Sequence, residues 1–321
     1  MDMTLPRELL PISPAGRKHS LVRPGEARTS QFEVEFDPEY SVIWGMFNPK
    51  GMPCFSLGLL NDIRAHDEQL ELNRGRVLFE GETRDAHYYV AASKVKGVFN
   101  LGGDLALFTM LIQTGDRDAL ARYARRCIDC IHPRIQHYGV PTLTTISLVQ
   151  GDALGGGFET ALSSDVIIAE ESASMGLPEI LFNLFPGMGA LSLLARRLGL
   201  RAAEEFILSG RILKAKELAD LGLVDVVAPD GMGECATYQW IAKNERRRNG
   251  MQAVFHSRNI VHPISREELD GVADAWVDAA LRLDDKDLRM MKRLVAAQQR
   301  RLSGDAQPAT APDDAAARVA A

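Results

Sequence analysis

Two glutamates carry the most promising chemistry in this chain. Glu159 closes the run Val149-Gln-Gly-Asp-Ala-Leu-Gly-Gly-Gly-Phe-Glu159, and Glu179 lies in Met175-Gly-Leu-Pro-Glu-Ile-Leu-Phe182, where almost every neighbour is apolar. Desolvation in such surroundings disfavours the charged carboxylate and raises its pKa toward the range a general acid or base needs near neutral pH. Two carboxyls sharing one pocket would also push their titrations apart. Taken alone, Glu159 fits equally well as a first-turn carboxylate favoured by a helix dipole.

An acid/base pair working beside a carbonyl needs somewhere for the negative charge that develops on oxygen. Gly155, Gly156 and Gly157 stand between an expected strand and an expected helix. Lacking Cβ atoms, they let a ligand approach the peptide N–H groups, and the unpaired amides at a helix start attract an oxyanion. A tight turn permitting close helix–strand packing accounts for the same glycines. Phe99-Asn-Leu-Gly-Gly-Asp104 repeats the form: a strand end, two glycines and an apolar helix. Two such turns can each aim one N–H at the same oxygen. Asp104 is read as a helix N-terminal partner.

Apolar spacing supplies the elements that must hold these residues. Segments 32–36 and 40–47 are expected as opening strands and 55–72 as a helix. There follow strand 87–91, helix 101–114, helix 116–139 ended by Pro141, strand 142–149, helix 155–163 and strand 166–169. Strands alternating with helices predict a layered α/β core. After Gly187 the chain turns helical over 191–198, 202–208 and 215–221, with only 224–227 strand-like. Trp276, Val277, Ala280, Leu281 and Leu283, then Leu288, Met291, Leu294 and Val295, mark two terminal amphipathic helices. The expected organisation is a mobile N-terminal extension (1–30), an α/β core (31–230), a C-terminal helical region (231–302) and a disordered tail (303–321).

Composition narrows the function classes. The 321 residues are 46% hydrophobic and 25% charged, an ordinary globular balance. A net charge of −6 argues against a dedicated nucleic-acid binder, since phosphate affinity comes from clustered Lys and Arg. No apolar run reaches the roughly 18 residues of a membrane span, and the N-terminus lacks a signal-peptide core. A cytoplasmic protein without membrane contact is expected. The four cysteines are too sparse for a disulfide framework. Cys127 and Cys130 form a C-x-x-C inside an expected helix with no second pair, and are read as buried thiols rather than a metal or redox site.

The combination of Ala-Leu-Gly-Gly-Gly-Phe-Glu159, Gly-Leu-Pro-Glu179 and the upstream Phe99-to-Asp104 segment resembles the enoyl-CoA hydratase/isomerase (crotonase) superfamily. The resemblance implies a crotonase (ClpP/crotonase-like) α/β fold, with layered sheets, surrounding helices and a C-terminal helical region. It also implies an oxyanion hole drawn from Leu101, Gly102, Gly103 and Gly156, with Glu159 and Glu179 as the paired catalytic carboxyls. Retention of both glutamates points to hydration or dehydration rather than isomerisation.

Longer segments, 99–108, 179–189 and 276–301, are similar to the diffusible-signal-factor synthases of bacterial quorum sensing, and the likeness runs from about residue 32 to 301. Those enzymes dehydrate 3-hydroxyacyl groups on acyl carrier protein to cis-2-enoyl thioesters, then hydrolyse the thioester to a free fatty acid. The likeness implies that Glu179 serves the α-carbon and Glu159 the water, with the reverse assignment open to the same two carboxyls, and that Leu154, Met188 and Trp276 line an acyl-chain pocket. It implies no cofactor beyond the acyl carrier protein or CoA that bears the substrate. As partners it implies that acyl carrier protein, copies of the same chain in a homo-oligomer (trimer or hexamer), and a sensor-kinase receiver domain. A basic rim for the carrier is expected from Arg122, Arg125, Arg126 and Arg134, or from Arg196, Arg197 and Arg201. Two other readings use the same residues: an enoyl-CoA hydratase of fatty-acid oxidation, and a crotonase-fold binding or regulatory protein.

Overall fold

The computed structural model describes residues 18–20 and 30–303, so the expected N-terminal extension and C-terminal tail lie almost wholly outside the described residues. The chain opens with β1 (His19–Ser20), β2 (Phe32–Asp37) and β3 (Val42–Phe47), paired antiparallel in that order. Phe32, Val34 and Phe36 bury one face of β2 while Glu33 and Glu35 alternate toward solvent, as the strand period requires. Helix α1 (Leu57–Leu72) starts where the Ser56 hydroxyl accepts from Leu59 N–H. A small ribbon, β4 (Arg76–Phe79) with β5 (Glu82–Asp85), follows it.

From there the chain repeats one plan three times: a strand in a large sheet, a strand in a small sheet, then a helix. The first unit is β6 (Tyr88–Ser93), β7 (Gly97–Asn100), and helices α2 (Leu105–Thr114) and α3 (Arg117–Ile135). The second is β8 (Thr144–Val149), β9 (Gly151–Leu154) and α4 (Gly156–Leu162). The third is β10 (Val166–Glu170), β11 (Ser174–Gly176) and a short 3-10 turn, Pro178–Phe182. Strands β7, β9 and β11 are parallel neighbours, so their three strand-to-helix turns emerge at the same end of the small sheet. That common end is where the site forms.

Helices α5 (Ala190–Leu198), α6 (Leu200–Ser209) and α7 (Ala215–Asp220) surround β12 (Ile212–Lys214), and β13 (Val226–Ala228) completes the large sheet. The large sheet runs β1-β2-β3-β6-β8-β10-β13 and the small one β12-β11-β9-β7. Every residue of β8 and β10 is buried, the pattern of parallel strands covered on both faces. One face packs Ile43, Phe47 and Tyr89 against the helical layer; the other packs Trp44, Ile146 and Ile168 under α8 (Gly233–Asn244). Trp44 Nε1–H donates to the Tyr238 hydroxyl at 3.1 Å, and that hydroxyl donates to Asp37 Oδ2 at 2.8 Å. Helices α9 (Arg248–Val261), α10 (Arg266–Ala280) and α11 (Asp285–Ser303) end the described chain. Helix α10 packs on α3, and α11 packs on α2 and the Pro178–Phe182 turn, so the terminal helices cover this chain's own core.

Three expectations change. The helix expected over 101–114 begins at Leu105, because Asp104 Oδ1 accepts from Leu107 N–H at 3.0 Å and caps it there. The helix expected to reach 139 ends at Ile135, two residues beyond Pro133, which has no N–H for the last turn. Of the small sheet only the end of β7 has a counterpart among the expected strands, since pieces of three or four residues are too short for alternation to register. The chain crosses from large to small sheet at Gly151, where an added Cβ would lie 2.0 Å from the carbonyl carbon of Gly97. Only glycine admits that approach of two backbones. Among the described residues no helix is long and apolar enough to cross a membrane.

Candidate active site

The three turns at the end of the small sheet open on one cavity of about 360 Å³. The first contributes Leu101 and Gly103, the second Gly156 and Glu159, and the third Glu179. Leu154, Met188 and Trp276 line the same space, so every expected site residue except Gly102 reaches the cavity wall. Size and apolar lining suit a small organic ligand oriented by a few polar groups.

Glu159 is buried in the first turn of α4. Its Oε1 accepts from Met188 N–H at 2.8 Å and from Ala190 N–H at 2.9 Å. Burial raises its pKa to about 7 against the pull of those two amides. Glu179 is half-buried in the Pro178–Phe182 turn, and its Oε2 has no hydrogen-bond partner among the described residues. Burial first, and the Glu159 charge second, raise its pKa to about 8. The Glu179 carboxyl packs on Gly155, whose φ of 51° favours glycine and whose added Cβ would lie 2.3 Å from Glu179 Oε1.

The two glycine loops touch: a Cβ on Gly102 would sit 3.0 Å from Gly156 N and 2.6 Å from the Leu154 carbonyl oxygen. Their amides are not equivalent. Leu101 N–H donates to the Pro53 carbonyl and Gly102 N–H to Asn100 Oδ1, both at 2.8 Å. Gly103 N–H and Gly156 N–H have no acceptor among the described residues. The expected four-residue hole is thereby corrected: Leu101 and Gly102 spend their amides on holding the loop, and Gly103 with Gly156 remain open to a ligand oxygen.

The apolar wall is built by contact with these glycines. Met188 Sδ stands 2.6 Å from the place a Cβ would take on Gly156. The Trp276 ring packs on Gly187 and meets Phe108 edge-on at 5.0 Å. Sequence reasoning missed Phe108, Tyr123 and Cys127 as lining residues, along with Leu294, Ala297 and Gln298 of α11. Apolar periodicity placed most of them on buried helix faces, but periodicity does not distinguish a cavity wall from a solid core. Burial pushes the Cys127 thiol up, which keeps it protonated and a poor nucleophile. Among the described residues no group of three or more His, Cys, Asp or Glu is placed to hold a metal ion.

Most arginines of the expected basic rims have partners within this chain. Arg134 is buried and donates to the Ile146 carbonyl at 2.6 Å and the Ser164 hydroxyl at 2.8 Å. Arg197 donates to the carbonyls of Leu162 and Ser164. Arg125 pairs with Asp274, Arg126 with Asp129, Arg196 with Glu268 and Arg201 with Glu205. Of the two clusters, Arg122 alone is exposed without such a pairing among the described residues.

Comparison with known proteins bears on the family and the fold. The family model for enoyl-CoA hydratase/isomerase matches residues 92–300. A "Probable enoyl-CoA hydratase" of Bacillus subtilis is 36% identical over 132 residues, 41% of this chain and 48% of that relative. The chain spans less than half the length of the first curated relatives it matches. Among solved structures, Pseudomonas aeruginosa DspI superimposes with a TM-score of 0.60 at 21% identity, covering 83% of this chain and 95% of that one. Human mitochondrial delta3-delta2-enoyl-CoA isomerase gives 0.63 at 20% identity, covering 85% and 99%. These likenesses carry the fold. The family match, which takes in most of the chain and both glutamates, establishes that this protein belongs to the enoyl-CoA hydratase/isomerase (crotonase) family.

Proposed function

We propose that the protein adds water to, or removes it from, the carbon–carbon bond next to an acyl thioester, with Glu159 and Glu179 as its acid/base pair. One observation carries the reading: two carboxyls of raised pKa and two acceptor-free amides, those of Gly103 and Gly156, face one apolar cavity. In dehydration the Glu179 carboxylate takes the α-proton of a 3-hydroxyacyl thioester. The electron pair moves toward the carbonyl oxygen between the Gly103 and Gly156 amides. As it returns, the C3–O bond breaks, and the Glu159 carboxyl protonates the departing hydroxyl to release water. In hydration Glu159 takes a proton from water while Glu179 delivers one to the α-carbon.

When the pair holds one proton it rests on Glu179, which faces the other's charge, while two amides favour charge on Glu159. That resting state begins hydration, and it supports a second reading as a hydratase of CoA thioesters, in line with the names of the curated relatives.

Within this chemistry the segments 99–108, 179–189 and 276–301 support a diffusible-signal-factor synthase, which also cleaves its product. Water activated by one carboxylate adds to the thioester carbonyl carbon, the carbon–sulfur bond breaks, and the thiol leaves with a proton as the free acid forms. Leu154, Met188 and Trp276 would bury the acyl chain. An acidic carrier would find cations on α11, where Lys286, Arg289 and Arg293 are exposed at helical spacing.

Purified protein given 3-hydroxyacyl thioesters of acyl carrier protein and of CoA, with products followed by mass spectrometry, tests the readings. Free cis-2-unsaturated acid from the carrier thioester is the synthase result. Interconversion of 3-hydroxyacyl-CoA and 2-enoyl-CoA without free acid is the hydratase result. Turnover of neither overturns both.

A further inference from the structure

Gly103 is the less obvious of the two oxyanion amides: Gly102 N–H on Asn100 Oδ1 and the bridge to Phe55 hold its loop. A further tie comes from α3. The buried Tyr123 hydroxyl donates to the Phe55 carbonyl at 2.5 Å and accepts from Asp104 N–H at 3.2 Å. Phe55 N–H in turn donates to the Gly102 carbonyl at 2.7 Å. The residues on either side of Gly103 are therefore tied, one through Phe55 and one directly, to a single phenol oxygen. The Tyr123 ring also meets Phe108 edge-on at 4.9 Å, and Phe108 Cζ lies 2.5 Å from where a Cβ would stand on Gly103. Phe55 closes the circuit on the other loop, its ring lying 3.3 Å from the Cβ position of Gly156.

We propose that Tyr123 is a positioning residue for the oxyanion site, its hydroxyl clamping Phe55 and Asp104 so that the Gly103 amide is directed at the thioester oxygen. The inference rests on the hydration/dehydration reading of the cavity. It does not give Tyr123 a proton to transfer: burial drives the phenol pKa well above its ordinary value, so the hydroxyl remains a donor throughout the working range. Both of its partners are backbone groups of the parallel Phe55–Gly103 bridge, so the hydroxyl braces a pairing that the two segments also make directly.

Tyr123→Phe keeps the ring contacts and removes the clamp together with the hydroxyl's contact to the Cys127 thiol. A saturated acyl-CoA carrying ¹³C at the thioester carbonyl, bound but unable to lose water, reports the oxyanion site directly by isotope-edited infrared spectroscopy. The wild-type protein is expected to lower the carbonyl stretching frequency relative to free ligand, and Tyr123→Phe to lose much of that shift. Turnover is expected to fall about tenfold in kcat with KM within about twofold, a smaller loss than removing an oxyanion donor outright. Melting curves establish that the variant is folded, and all assays are run below its melting temperature. A folded variant with the wild-type frequency shift and kcat overturns the clamp while leaving the catalytic reading intact; so does a lowered melting temperature alone. Absence of any shift in the wild type overturns the oxyanion site and the clamp together.

Discussion

The turn that carries Glu159 and the turn that carries Glu179 serve one cavity and are built in opposite ways. Helix α4 is buried at every position, and its carboxylate is gripped by the amides of Met188 and Ala190. The Pro178–Phe182 turn is a single short 3-10 segment with Leu181 53% exposed, and its carboxyl offers Oε2 to the cavity without a partner. Burial raises both pKa values, but the count of amide donors decides which group keeps the charge and which the proton. Two glutamates of the same chemistry become unlike partners through the backbone around them.

That contrast is most strongly tested by removing each carboxyl. Glu159→Ala and Glu179→Ala should each lower turnover at least about 10²-fold. Only Glu159→Ala strands two buried amides, so it should also lose about 1–3 kcal/mol of stability in urea unfolding, with Glu179→Ala losing less. Equal destabilisation would erase the distinction between the two turns.

Next in size is Gly155→Ala, which places a Cβ on Glu179 Oε1 and forces a left-handed φ on alanine. Turnover should fall about tenfold and stability by about 1–3 kcal/mol, with Glu159 and its amide bonds unchanged. A crystal structure of the variant with the Glu179 carboxylate unmoved would contradict the packing described.

The pH dependence is the third test. One carboxyl must be charged and the other protonated, so kcat/KM should be bell-shaped with limbs near 7 and 8, values that belong to the coupled pair. Replacing either glutamate by Gln should remove the bell from whatever activity remains. A flat profile in the wild type would contradict the pairing.

The smallest effect is on stability. Both folded-state pKa values stand above the ordinary 4.5, so the folded protein binds protons more tightly than the unfolded chain, and stability falls as pH rises from about 4.5 to about 8. Glu179→Gln should therefore raise the melting temperature at about pH 9 and do much less at about pH 5. Identical increments at both would mean that the carboxyl is not desolvated.

Much of this was legible in residue types and spacing. The strand–glycine–helix form of 99–104 and 149–159, and the apolar setting of Glu179, marked three of the pieces that meet at the cavity. In the large sheet β2, β3, β6, β8 and β10 could be read because five or six residues show a pattern, and β13 as a short apolar run, while the two residues of β1 could not. In the small sheet only the end of β7 could, since β7, β9, β11 and β12 are three or four residues long, and their register depends on pairing partners distant in sequence. The same limit applies to the amides. Leu101, Gly102 and Gly103 offer like amides in sequence, and only Pro53, brought in by another segment, and the turn that folds Asn100 back on Gly102 separate occupied donors from the open one. Arg134 and Arg197 fall on helical charge patterns, yet carbonyls and hydroxyls of the core claim them.

The most direct test of the central claim is solvent labelling of a 2-enoyl thioester during turnover. In D₂O and in H₂¹⁸O the wild-type protein should place deuterium at C2 and ¹⁸O at C3 of the 3-hydroxyacyl product. Glu179→Gln should suppress delivery of deuterium, and Glu159→Gln the attack of labelled water, each by at least about 10²-fold. Wild-type rates of both labels in either variant would contradict the paired-carboxylate account.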